Sequence, residues 1–339
     1  LAGGGAERVA SNLSIHLDEE KYNKYVVVYY DEEVEYNYNG ELLNLNTGKT
    51  NNFFVKLFNF FKKIYKLKKI KQKYNIDVTI SLLPNPNLVN ILSRHNDKVI
   101  VSVRNFISKS LTGIYGNIYK VLIKIIYNKA DLIVPVSKAI KKDLIKNYNL
   151  NRDKIKVIYN PYDIDEIEKK AIMQTEDEYK EVFKNPVIIT MGRLTEQKGH
   201  WYLIRALKKI KESIKDIQLV ILGEGPLRSK LETLVCNLNL EQSVHFLGFQ
   251  NNPFKYINKS SVFVLPSLFE GFPNALSEAM ACSVPVISTD CDSGPREILM
   301  DNTDYKQNKK EYGEYGILVP VFDGQKYDYQ ELLTLEEEI

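Results

Sequence analysis

The sequence predicts an α/β fold with parallel sheets in two domains, and three observations carry that prediction. Short apolar runs rich in β-branched and aromatic residues alternate with longer stretches of helical periodicity through both halves of the chain. The 339 residues suit two domains of about 100–200 residues each. A polar, acidic stretch over 160–185, opened by Asn160-Pro161 and closed by Asn185-Pro186, separates two series of runs and reads as a hinge and linker. A first domain at 1–160 and a second at 161–339 follow.

In chain order, 25–30, 77–82, 98–103, 132–136 and 155–158 read as the strands of the first series. The second series is 187–191, 218–222, 244–247, 262–265 and 284–288. One helix stands out: 51–73, from Asn51 to Lys73, has eight lysines and no acid, interleaved with Phe53, Phe54, Phe58, Phe60, Phe61 and Tyr65. Apolar residues at 54, 57, 58, 61, 64 and 67 fall at helical spacing. Such a helix can lie at an anionic lipid surface with its aromatics in the headgroup boundary, or pack on the core with a solvated Lys face.

With 44% hydrophobic and 26% charged residues the composition is that of an ordinary globular protein. Cys236, Cys282 and Cys291 are odd in number and contain no CxxC pair, which argues against a disulfide framework or structural zinc and for a reducing compartment. No apolar run reaches the roughly 18 residues of a spanning helix, and no signal peptide is visible, so a cytoplasmic location is expected. Charge divides unevenly: residues 1–160 hold 26 Lys+Arg against 14 Asp+Glu (+12), and 161–339 hold 20 against 29 (−9), summing to +3. The basic half does not suggest nucleic acid, because its lysines gather on an aromatic helix rather than a nucleic-acid module.

Several residues can carry chemistry. Gly4 and Gly5 precede an amphipathic helix, where a close-approaching backbone and the helix start suit a phosphate, or make only a tight turn. Arg193 and Lys198 project from one strand-to-helix loop, where a guanidinium fork and an ammonium can clamp two phosphates and stabilise a departing diphosphate. Glu270 lies in a later loop and Glu278 two turns along the following helix, carboxylates suited to sugar hydroxyls. The amides of Gly271 to Ala275 at that helix start suit a phosphate between them. Asp290-Cys-Asp292 has the form of a short metal-binding pattern, but two oxygens alone make a poor divalent site, and no metal or other cofactor is expected. His16, His95, His200 and His245 are scattered and read as structural or solvated.

These motifs together resemble a known family. Gly-Gly-Ala-Glu at 4–7, GRLTEQKG at 192–199, LGEGPLR at 222–228 and FEGFPNALSEAMACSVPVISTD at 269–290 are similar to the retaining glycosyltransferases of family 4, of bacterial surface-polysaccharide or lipid-linked glycan type. VSKAIKKDL at 136–144 and IYNPYD at 158–163 resemble that family's domain-joining region. The resemblance implies the GT-B fold, two Rossmann-like domains with parallel sheets facing across a cleft, the first binding the acceptor and the second a nucleotide-sugar, by family habit a UDP-sugar.

Carried over by motif, Arg193 and Lys198 hold the diphosphate, Glu278 the ribose hydroxyls and Glu270 a donor-sugar hydroxyl. Gly4 and Gly5 close over the distal phosphate, and Gly223, Gly225, Gly271, Phe272, Asn274, Ala275 and Leu276 complete the donor-binding set. Ser102-Val-Arg-Asn105 resembles the segment of one branch acting on lipid-linked or polysaccharide acceptors, which makes Arg104 and Asn105 acceptor or sugar contacts, or turn-stabilising residues. Retention in this family proceeds without an enzymic nucleophile, in keeping with cleft motifs that supply cations and backbone donors.

The expected activity is transfer of a hexose or N-acetylhexosamine from a UDP-sugar to a lipid-linked saccharide or growing surface polysaccharide, by a peripheral enzyme at the inner face of the membrane. The alternatives are a nucleotide-sugar epimerase and a non-catalytic scaffold of the same fold. The sequence departs from the family at both ends: the strand expected before Leu1 and the closing helices after Ile339 lie outside it. Low stability of the segment alone is expected from a sheet so interrupted.

Overall fold

In the computed structural model, residues 5–30, 36–48, 50, 52–110, 113–300 and 309–321 are described. They divide into two α/β units, Leu1–Tyr162 and Asp163–Ile339.

Unit 1 runs α1 (Gly5–His16), β1 (Tyr25–Val28), β2 (Glu41–Asn44), α2 (Phe53–Lys73), β3 (Val78–Ser81), α3 (Pro84–Leu92), β4 (Lys98–Val103), α4 (Ile107–Ser110), α5 (Gly113–Ile126), β5 (Leu132–Pro135) and α6 (Lys138–Tyr148). β1 and β2 form one parallel pair, and β3-β4-β5 a separate parallel sheet. The strand expected at 155–158 is reduced to a single bridge between Ile133 and Ile155. Lys156 N–H and Ile158 N–H donate to Ile133 and Pro135 carbonyls at 3.0 and 3.2 Å, but Pro135 has no N–H to return, so the ladder stops. β2 was not anticipated; it follows Gly40, whose φ of +107° and whose backbone, where a Cβ would lie 2.4 Å from Lys24 O, admit only glycine.

α2 starts where Asn52 Oδ1 accepts from Phe54 and Val55 N–H. Its inner face packs Phe60, Ile64, Leu67 and Ile70 with Val27, Leu45 and Val89. The apolar stripe therefore splits. Its C-terminal part enters the core, while Phe54, Phe58 and Phe61 stay 78%, 67% and 60% exposed. Lys63 and Lys71 are buried instead, Lys71 pairing with Asp97 at 2.7 Å and donating to Asn90 Oδ1 at 2.7 Å. The C-terminal part is thus core-packed with Lys68, Lys69 and Lys73 exposed, and Lys63 and Lys71 are the exceptions to a solvated lysine face.

Unit 2 opens with α7 (Ile164–Ala171) in the stretch expected to be a bare linker. Asp163 caps it, accepting from Glu166 N–H at 2.9 Å, and Ile167 and Ala171 are buried. Then follow β6 (Val187–Met191), α8 (His200–Ser213), β7 (Gln218–Leu222), α9 (Arg228–Asn237), β8 (Val244–Gly248), α10 (Phe254–Ile257), β9 (Val262–Leu265), α11 (Asn274–Ala281), β10 (Val286–Thr289), α12 (Pro295–Leu299), β11 (Glu311–Tyr312) and β12 (Ile317–Val319). The sheet order is β11-β12-β10-β9-β6-β7-β8, parallel except at the β11–β12 edge. α8 and α9 cover it with Ile204, Leu207, Leu231 and Leu234 against Leu219 and Ile221, each side chain worth about 1.5–3 kcal/mol on burial.

Candidate active site

The strand order of unit 2 singles out one place. From β6 the chain proceeds to β7 and β8 on one side, whereas β9, β10 and β12 lie on the other. The crevice outside the carboxyl ends of β6 and β9 is thus a topological switch point, where open α/β sheets bind ligands. The loops that follow those two strands hold Arg193, Lys198 and Glu270.

The loop after β6 is built by close backbone contact. Leu194 is fully buried, and its N–H donates to Glu224 O at 2.9 Å while Gly192 N–H donates to Leu222 O at 2.9 Å. Gly223 (φ +132°) and Gly225 make this approach possible, since a Cβ would lie 2.1 Å from Gly192 O in the first and 2.5 Å from Leu194 O in the second. What the structure places on these two glycines is the seating of the 192–195 loop. A 3₁₀ turn, Glu196–Lys198, then carries the chain through Gly199 into α8.

Here the two loops are joined. Gln197 Nε2 donates to Phe269 O at 2.8 Å and Leu268 N–H to Gln197 O at 2.8 Å. Lys198 Nζ meets Glu270 Oε1 at 2.6 Å, with side chains 18% and 7% exposed. An ammonium has three donors and a carboxylate about four acceptor positions, so the pair retains capacity for both an anion and a hydroxyl. Arg193, on the same loop, is exposed and has no side-chain hydrogen bond or ion pair among the described residues. His200, next to Lys198, is 1% exposed; burial first and the lysine second bring its pKa down to about 3, so it is neutral at physiological pH.

Beyond Glu270 the chain enters α11 through Pro273, which supplies no side-chain cap; its carbonyl accepts from Leu276 N–H at 3.1 Å, and the Asn274 and Ala275 amides precede that bond. Phe272, Asn274 and Ala275 are partly exposed, Glu278 is 3% exposed, and the Leu276 side chain belongs wholly to the core. The turn after β10 supports this segment. Ser293 Oγ donates to Gly271 O at 2.6 Å, and Gly294 (φ +92°) packs where a Cβ would lie 2.4 Å from Pro273 Cδ.

Asp290 accepts from Arg296 Nε at 3.1 Å and Nη2 at 2.7 Å, and Arg296 also bonds Glu311. The Asp290 carboxylate is thereby paired with a guanidinium. Among the described residues no three His, Cys, Asp or Glu side chains cluster as metal ligands. Sequence reasoning missed the Asp290–Arg296–Glu311 network.

In unit 1, Arg104 and Asn105 follow β4. Arg104 Nη2 donates to Asn160 Oδ1 at 2.8 Å, a partner that sequence reasoning also missed. Burial brings the Arg104 guanidinium down to about 10, opposed by Tyr162 and Glu7, and it stays cationic at neutral pH. Asn105 is exposed; Gly5 is the first residue of α1, and Gly4 lies outside the described residues.

Comparison with known proteins fits this arrangement. Residues 3–166 match the family Glycosyltransferase Family 4, and residues 172–311 match Glycosyl transferases group 1. An uncharacterized glycosyltransferase of Methanocaldococcus jannaschii is 35% identical, the match covering 96% of this chain and 84% of that protein. The N-acetylgalactosamine-N,N'-diacetylbacillosaminyl-diphospho-undecaprenol 4-alpha-N-acetylgalactosaminyltransferase of Campylobacter jejuni is 34% identical, over 100% of this chain and 88% of that protein. The crystal structure of Anabaena HepE in complex with UDP and glucose superposes with a TM-score of 0.70 at 18% identity, covering 98% of this chain and 85% of that one. The chain belongs to the glycosyltransferases that join a family 4 domain to a group 1 domain, and it is a transferase enzyme of the GT-B fold.

Proposed function

We propose that this enzyme moves a hexose or N-acetylhexosamine from a UDP-sugar to a lipid-linked saccharide or a growing surface polysaccharide, with retention of anomeric configuration and without a metal. The observation that carries the reading is the Lys198–Glu270 pair at the switch point, with the exposed Arg193 on the same loop. Arg193 and Lys198 hold the diphosphate, Glu270 a hydroxyl of the donor sugar, Glu278 the ribose, and the 271–275 amides a phosphate. The C1–O bond to the diphosphate breaks as an acceptor hydroxyl attacks from the same face, and the hydroxyl proton passes to the departing phosphate oxygen. The two cations stabilise the charge that develops there. In unit 1, Gly4 and Gly5 are assigned to a donor phosphate, and Arg104 and Asn105 to the acceptor or the sugar.

The donor class is supported by the UDP and glucose in the HepE complex, and the acceptor class by the diphospho-undecaprenol substrate in the name of the Campylobacter relative. No helix among the described residues is long and apolar enough to cross a membrane. We place the enzyme peripherally at the inner face, with α2 against the anionic lipid surface: its outer face is aromatic and it carries eight lysines and no acid over 51–73. The test is incubation of the full-length protein with each of several UDP-sugars and a polyprenyl-diphosphate saccharide, followed by mass spectrometry. A mass increase of one sugar with one donor is expected; no transfer with any UDP-sugar contradicts the reading.

A further inference from the structure

We infer that α5 is a second membrane-contact helix, so that unit 1 rests on an anionic bilayer along two helices, α2 and α5. This rests on the reading that α2 meets the membrane. On α5 the inward residues Ile123 and Ile126 are buried, while Ile118, Val121 and Ile125 are 51%, 57% and 61% exposed. Their spacing of three and four residues lays them along one outward stripe. Contiguous apolar stripes left in water on a soluble surface mark contact sites.

Charge chooses the occupant. Between Glu41 and Asp131 the sequence has acids only at Asp77 and Asp97, and Asp97 is consumed by the buried pair with Lys71. α5 carries Lys120 and Lys124 and no acid. A second copy of this surface would set lysines against lysines, whereas an anionic lipid surface complements them. Beside the stripe lies a groove of about 250 Å³ lined by Ser108, Lys120, Val121, Lys124, Asn147 and Tyr148; Lys120 Nζ donates to Ser108 O at 3.2 Å and Asn147 Nδ2 to the buried Asp143 at 2.7 Å, and the exposed Lys124 ammonium suits a lipid headgroup phosphate. α3 packs against both α2 and α5, so the two contact helices flank one helix of the same unit. A lone helix in the interface leaves the protein free to roll about that helix's axis. A second stripe removes this freedom and holds the C-terminal edge of β4, with Arg104, at a set height above the lipid.

The test uses the full-length protein with vesicles of phosphatidylcholine alone or mixed with phosphatidylglycerol. In a Cys236→Ser background, a bimane label is placed through Val121→Cys or Phe58→Cys and quenched by lipid-borne nitroxides. Cys282 and Cys291 are buried and do not compete. Both labels are expected to quench on the anionic vesicles only. The triple variant Ile118→Ser, Val121→Ser, Ile125→Ser is expected to partition at least tenfold more weakly, about 1.4 kcal/mol, with unchanged thermal unfolding and unchanged transfer to a water-soluble acceptor. Quenching at 58 but not at 121 overturns the α5 contact and leaves the α2 reading standing. Quenching at neither position overturns both. A lipid-free, concentration-dependent dimer that shields position 121 gives the stripe to a second copy and also overturns the proposal.

Discussion

Lys198 Nζ and Glu270 Oε1 meet at 2.6 Å across loops that are 72 residues apart in sequence and adjacent only because β6 and β9 are neighbours in the sheet. Each side chain is mostly buried, so each is the other's principal counter-charge. Lys198→Ala strands a buried carboxylate, and about 3–5 kcal/mol of stability is expected to be lost. The double variant Lys198→Met with Glu270→Gln is expected to recover most of that stability and none of the activity. Denaturant unfolding alongside turnover checks both halves.

Arg193 separates stability from catalysis more cleanly. Its side chain is exposed and without a partner among the described residues, so Arg193→Ala is expected to leave unfolding within about 0.5 kcal/mol of the parent protein. If the guanidinium stabilises the leaving diphosphate, kcat falls by about 10²–10³, or roughly 3 kcal/mol of barrier. Steady-state kinetics with the productive donor is the measurement, and unchanged turnover removes Arg193 from the mechanism.

Gly223 tests how the loop is seated. Gly223→Ala puts a Cβ 2.1 Å from Gly192 O at a φ of +132°. Backbone strain of about 1–3 kcal/mol is expected, with the 192–195 loop displaced. The predicted kinetic mark is a raised KM for the donor, with the far loop at 271–275 unaffected in hydrogen exchange.

His200 predicts a pH dependence of stability. Its pKa is lowered from 6.5 to about 3 by burial, so the folded state holds it neutral while the unfolded chain protonates it. Its contribution is therefore fully present above about 6.5 and lost as pH falls from there toward 3, at up to about 1.4 kcal/mol per pH unit. His200→Gln is expected to flatten the difference in unfolding free energy over that window, read by urea titrations at a series of pH values. Parallel curves for parent and variant contradict it.

Much of the scaffold was legible in the sequence because it is local. The strands at 98–103, 187–191, 218–222 and 262–265 coincide with β4, β6, β7 and β9, each a short run dominated by apolar, mostly β-branched residues. Two failures were also local: Pro135 stops the ladder that 155–158 needed, and the Asp163 cap with Glu166 three residues later announced α7 inside the supposed linker. β12 escaped notice because Ile317–Val319 is three residues between Gly316 and Pro320. The loops of the candidate site could be named from glycine spacing and strand ends. The contacts Lys198–Glu270, Arg104–Asn160 and Arg296–Glu311 could not, since they depend on strand order and on segments distant in the chain. The splitting of the α2 stripe was equally hidden, because periodicity shows a face and not how far along the helix the core extends.

The anomeric configuration of the product bears most directly on the proposed reaction. The full-length enzyme is supplied with its productive UDP-sugar and a polyprenyl-diphosphate saccharide in detergent, and the new glycosidic proton is followed by nuclear magnetic resonance from the first turnover. Same-face transfer by the Arg193, Lys198 and Glu270 set predicts that the first-formed product has the anomeric configuration of the donor and that it forms about 10²–10³ times more slowly with Arg193→Ala. A first-formed product of opposite configuration, or donor isomerised without transfer, contradicts the account.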